Sequence, residues 1–158
     1  MGTWLTPIFD RTQADVGEVL TKISQWMAEG SIGQIPDMKG CLNASDLNRI
    51  EANTLYLSER LSELGYEVKV STKTWDKQGL PTEEDVKRII ANIQTIEIAF
   101  HNVEQSIRPP TNMTRYDEIN ALEEILYRIK FLLDAMISSF KKSNTFQSGR
   151  SFVLPIRR

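Results

Sequence analysis

Apolar residues spaced three and four apart recur in three stretches of this chain, and the stretches align in register. Asp46 to Asn53 set beside Asp85 to Asn92 matches at Asp, Arg, Ile, Ala and Asn. A third stretch from Ile119 extends the columns: Leu47/Val86/Ile119, Ile50/Ile89/Leu122, Thr54/Ile93/Leu126, Leu57/Ile96/Ile129, Leu61/Phe100/Leu133 and Leu64/Val103/Met136, with Phe140 continuing the last series. Thr54 is the one polar member. Spacing of this kind places each series on one stripe of a helix, and each stripe needs a neighbour to bury it.

The fold class expected is therefore mainly α: an elongated helical bundle or coiled coil of about four helices with extended N- and C-terminal arms. A length of 158 residues suits one domain, and a compact fold of that size buries roughly 70% of its unfolded surface. The net charge of −2 offers no field to gather nucleic acid or an anionic membrane, so neither is expected as a partner. Residues 1–10 lack a basic stretch followed by an apolar run, and no segment approaches ~20 uninterrupted apolar residues; neither export by a signal peptide nor membrane insertion is expected.

Residues 1–11 carry Trp4, Pro7 and Phe9 without helical period and are expected as an extended arm. A helical domain over 12–142 should follow, with helices near 12–29, 44–64, 82–107 and 115–142. Gly30 and Gly65 mark helix ends, and Pro109-Pro110 forbids continuation of the third. Thr82 with Asp85 reads as a cap, and Asn43 or Ser45 can start the second helix. Over 66–80 the alternation of Val68, Val70 and Thr72 with polar residues predicts an extended linker. Residues 143–158 hold no acidic residue and cluster Phe152, Val153, Leu154 and Ile156 behind Gly149; they read as a second arm, either adding a strand to another chain or remaining disordered.

Chemistry is hard to find in this pattern. His101 is the single histidine and lacks the convergent partners of an acid/base or metal site. Cys41 is the single cysteine, excluding an internal disulfide, and has no evident base. Glu83-Glu84-Asp85 sit where a helix dipole favours acids, and Glu123 and Glu124 flank a stripe and are expected to cover its edge in water. No catalytic, cofactor-binding or metal residues are assigned, and no cofactor is expected. The repeated polar residues are more informative. Asp46 with Arg49, and Asp85 with Arg88, can pair on a helix surface. Asn53 and Asn92 fall beside the stripes, where they either bond across helices and fix register or face solvent.

The stretch Met38-Lys39-Gly40, Leu42-Asn43, Asp46-Leu47-Asn48-Arg49-Ile50-Glu51 and Asn53, followed by Tyr56-Leu57, resembles a segment of tail and baseplate structural proteins of phages and prophage-like contractile elements of Gram-positive bacteria. The opening Trp4, Pro7, Asp10-Arg11-Thr12 and Asp15-Val16, and later Lys73, Trp75 and Leu80-Pro81-Thr82, stand in the same order in such proteins. The resemblance covers most of residues 1–92 and loosens beyond. It implies a non-enzymatic subunit of a virion or phage-like particle, made in the bacterial cytoplasm, partnered by other tail, baseplate or fibre proteins and by copies of itself. The third stretch departs from the motif, with Ala121 in the column of Arg49 and Arg88, and Ile125 in that of Asn53 and Asn92.

On this reading the apolar columns are seams, within or between chains, and Trp4, Phe9, Trp75 and Phe152 are candidate anchors for partners. Trp75 has the alternative of plugging the domain's own core. A cytosolic helical adaptor or tail-assembly chaperone is the competing function.

Overall fold

The computed structural model describes residues 2–31, 36–100 and 107–145, with side chains as far as Lys141. It is mainly helical, with four helices: α1 (Gln13–Glu29), α2 (Ala44–Glu63), α3 (Glu83–Phe100) and α4 (Tyr116–Thr145). No strand occurs among the described residues.

Each helix starts on a side chain that accepts otherwise unpaired N–H groups. At α1 the Thr12 and Asp15 side chains bond each other's backbone N–H, and Thr82 with Asp85 repeats this at α3. Asp46 accepts the Asn43 N–H at α2, and Glu118 accepts those of Thr114 and Arg115 at α4. Acids in these positions also meet the positive ends of the helix dipoles. Gly30 and Gly65, at φ 70° and 90°, supply the left-handed turns that close α1 and α2.

The core is the triple seam expected from the columns. Ile50, Leu57, Leu61, Ile89, Ile93, Ile96, Ile119, Leu122, Leu126, Ile129 and Leu133 are buried in one apolar cluster, with Leu47 beside them. Val86, Phe100 and Met136 pack on it half-buried, while Leu64 and Phe140 lie at its end, 43% and 63% exposed. Val103 falls outside the described residues. Burying such side chains contributes about 1.5–3 kcal/mol each. Helix-to-helix packing joins α2, α3 and α4. The first helix buries Val19 alone of its apolar stripe and leaves Leu20 and Met27 exposed, so it stands beside the core instead of within it.

The three core helices run parallel, and the extended segments run back against them. Along the arm, Arg11 meets Asp46 of α2 and Asn120 of α4, whereas Trp4 meets Tyr56 of α2 and Lys130 of α4. Both helices thus ascend together as the arm descends. Along 66–82, the Val68 carbonyl meets Ser58 and Trp75 meets Asn48 of α2, while Ser71 meets Asn92 and Lys73 meets Asp85 of α3. A parallel bundle in one chain requires such returns, because each helix ends at the far end from where the next begins. The extended linker expected over 66–80 is this return strap.

Candidate functional site

The residues carrying the repeated polar pattern converge on the two strapped grooves. In the α2/α4 groove, Asn53 presents its Oδ1 to the Leu5 N–H at 2.8 Å and donates from Nδ2 to the Leu5 carbonyl at 2.8 Å. Asn120 does the same for Arg11, accepting its N–H at 3.3 Å and donating to its carbonyl at 2.9 Å. In the α2/α3 groove, Asn48 brackets Trp75 at 2.8 and 2.9 Å, and Asn92 brackets Ser71 at 3.3 and 2.7 Å. A side-chain amide carries one acceptor and donors on a planar head, so it can satisfy both backbone groups of one extended residue as a neighbouring strand would. Asn53 and Asn92 therefore neither cross helices nor face water. They clamp straps.

The arginines close the same grooves with carboxylates. Arg49 donates from Nε and Nη2 to the two oxygens of Glu123, both at 2.7 Å, and also from Nη2 to Asp46. Arg11, from the arm, donates to Asp46 at 2.8 Å, to Glu123 at 2.9 Å and to the Ile8 carbonyl, while Glu123 accepts the Ile8 N–H at 2.8 Å. Two cations and two anions make this buried cluster neutral. Burial works against the Asp46 charge, but the Asn43 N–H and the Arg49 and Arg11 guanidiniums outweigh it and hold its carboxyl below the ordinary value. Burial likewise opposes the Arg49 charge, and Glu123 and Asp46 more than restore it. In the second groove Arg88 bonds Glu51 at 2.6 and 3.0 Å and the Ser71 carbonyl at 2.6 Å; Glu51 also accepts the Trp75 indole N–H at 3.3 Å.

Two expectations are corrected by this geometry. The Asp46–Arg49 pair is not a surface pair, and Glu123 does not cover an edge in water: it is 1% exposed and lies at the centre of the cluster. Only Glu124 behaves as expected there, pairing with Arg128 at the surface. The Asp85–Arg88 separation is 3.7 Å, secondary to the bonds each makes elsewhere.

Periodicity does not single out Asn48, Glu51 or Asn120 and places Glu123 only at a stripe's edge, yet their signal lies in the same columns; Arg11, in the arm, has no column. Asn48 and Glu51 stand in the columns of Asn120 and Glu123. Each strapped groove thus takes Asn and Glu from one helix and Arg and Asn from the next: α4 to α2 around the arm, and α2 to α3 around the linker. Only α2 carries both halves. Along the α3/α4 seam the corresponding columns hold Lys87, Ile90, Ala121 and Ile125, with Ile90 and Ile125 buried, and Ile107 and Met113 of the third connection join the apolar cluster. The departure of the third stretch is a change from polar clamps to apolar packing.

Three of the four candidate anchors, Trp4, Phe9 and Trp75, make contacts within the chain's own fold. Trp4 lies edge-on to Tyr56 with ring centres 5.6 Å apart, and Phe9 lies 5.3 Å from Tyr127. Trp75 is buried in the core, with Lys73 over its ring at 4.2 Å. These contacts join parts of one chain; Phe152 and His101 fall outside the described residues. Cys41 is half-buried, and burial raises its thiol pKa, which suits packing. Gly40 lies so close to α1 that a Cβ there would overlap the Asp15 carbonyl oxygen. Among the described residues, no cluster of His, Cys, Asp and Glu could hold a metal ion, and no helix is long and apolar enough to cross a membrane.

No protein-family model, curated protein or solved structure matches the chain.

Proposed function

We propose that this chain is a non-enzymatic structural subunit of a phage-type tail or baseplate, joining neighbouring subunits or receptor-binding fibres. The observation that carries the reading is how the motif residues are spent. Gly40 seats the connection on α1, Asn43 and Asp46 start α2, Arg49 enters the buried cluster, and Asn53 clamps the arm. The residues behind the resemblance therefore serve architecture, which supports a building-block role over a catalytic one.

With the N-terminal arm seated on its own bundle, faces of the helices are also open to neighbours. The exposed Leu20 and Met27 lie on one ridge of α1, and Ile98 and Phe131 are exposed on outer faces of α3 and α4. Such surfaces suit partly buried interfaces between subunits, including copies of this chain. Quantitative protein composition of purified native particles tests the proposal. A fixed stoichiometry supports it, and absence from complete particles would refute it in favour of a cytosolic adaptor or assembly chaperone.

A further inference from the structure

A cavity of about 490 Å³ opens at the end of the bundle where α2 and α4 begin, between α1, residues 40–42 and the start of α4. All of its lining residues are among those described. Val16, Leu42, Met113 and Ile119 form its apolar part, the last two buried in the core. Arg11 and Arg115 are the charged residues on its wall, and among the described residues no carboxylate lines it. An apolar hollow with a few convergent polar groups is what small-ligand sites share.

Arg11 lacks a partner on the side that borders this cavity. It is 3% exposed, and its Nη1 and Nη2 turn to Ile8, Asn120, Asp46 and Glu123, none of which lines the cavity. Its Nε is buried and donates to no described group, so the stem and Nε are what Arg11 brings to the wall. A buried guanidinium N–H without an acceptor costs free energy, which an acceptor in the cavity would recover. Two helix starts open on the same space. Gln13 begins α1 and Tyr116 begins α4, and the capping side chains take the N–H groups of Thr12, Asp15, Thr114 and Arg115, not theirs. First-turn N–H groups and the dipole ends behind them favour an anion. Arg115, 68% exposed, holds Asp117 in a surface pair, and such a pair contributes little, so its guanidinium can turn to a ligand.

We propose that this cavity binds a small carboxylic acid as its anion. The carboxylate meets the Arg11 Nε and the two helix starts, and a compact aliphatic body lies over Leu42, Met113 and Ile119. The inference goes beyond the tail-subunit reading and does not depend on it.

Titration of the full-length protein with isocaproate tests it, followed by proton–nitrogen correlation spectra that include the arginine Nε–H signals, with the neutral amide of the same acid as control. Saturable shifts are expected at Gln13, Tyr116 and the Arg11 Nε–H. The amide should bind about tenfold more weakly, the loss of one charge-assisted hydrogen bond. Arg115→Gln should weaken the acid several-fold, and Gln13→Trp, which fills the mouth from an exposed position, should abolish binding, both with the helices intact by circular dichroism. Equal binding of acid and amide would overturn the proposal, as would the absence of saturable shifts or an Arg11 Nε–H signal that stays fixed while others move. Binding untouched by both substitutions would place the acid elsewhere and overturn it too.

Discussion

Both oxygens of the Glu123 carboxylate close on the Arg49 guanidinium, Oε2 on Nε and Oε1 on Nη2, each at 2.7 Å. This fork ties α4 to α2 at the point where the arm crosses, and Arg11 completes it from the arm. Buried ion pairs contribute little net stability over apolar packing, but removing one partner strands the others without water.

Replacing Glu123 should therefore cost far more than replacing its neighbour. Glu123→Ala leaves Arg11 and Arg49 sharing Asp46 alone, and a loss of about 3–5 kcal/mol is expected in urea unfolding. Glu124→Ala, which removes one surface partner of Arg128, should change stability by less than about 1 kcal/mol. Similar losses in the two variants would contradict the cluster.

Acid should loosen the same groove. The Asp46 carboxyl is held below its ordinary value of 3.8 in the folded chain, so the unfolded state binds its proton first as pH falls. Its contribution is present above the unfolded value and is lost on descending through the folded one. Denaturation midpoints measured from pH 6 to 2 should fall at the acid end, and Asp46→Asn should flatten part of that fall while lowering stability near neutrality.

Thr54 is the polar member of an otherwise apolar column, and its hydroxyl is buried with no hydrogen-bond partner. An unmet buried hydroxyl costs free energy that an isosteric methyl does not. Thr54→Val should raise stability by about 1 kcal/mol, read as a higher denaturation midpoint with an unchanged slope. A loss would show that the hydroxyl has a partner.

Gly40→Ala should act on α1 and spare the bundle. A Cβ there would overlap the Asp15 carbonyl oxygen and stand 2.6 Å from the Val16 nitrogen, so the connection must move off the helix at a cost of about 1–3 kcal/mol. Faster proteolysis within α1, with α2 to α4 still helical, is the expected result. Gly17, with nothing within 4 Å of its Cβ position, should accept Ala with a gain of up to about 1 kcal/mol.

The apolar columns were legible because burial along a helix follows one period, and Ile50, Ile93 and Leu126 lie where that period puts them. The use of Asp46, Arg49 and Asn53 was not, because a helical period identifies a face without identifying the neighbour across it. Asn53 bonds Leu5, 48 positions away, and Glu123 bonds Arg11 across 112. Such pairings follow from the parallel topology, which the straps impose and the stripes do not encode. The correspondence of Asn48 and Glu51 with Asn120 and Glu123 is present in the aligned columns, but it becomes interpretable only once α4, α2 and α3 are seen to lie in succession around the arm and the linker. Trp4 and Phe9 illustrate the same point: their contacts with Tyr56 and Tyr127 lie in grooves that an unperiodic segment does not reveal.

Amide hydrogen exchange at Leu5, Ile8 and Arg11 tests most directly the claim that the arm belongs to the fold. Their N–H groups are held by Asn53, Glu123 and Asn120, so in dilute full-length protein they should exchange with protection close to that of Ile50 and Leu122 in the core. Asn53→Ala should release Leu5 first. Exchange of all three at near-unprotected rates, with the helices still protected, would contradict the account and return the arm to the partners.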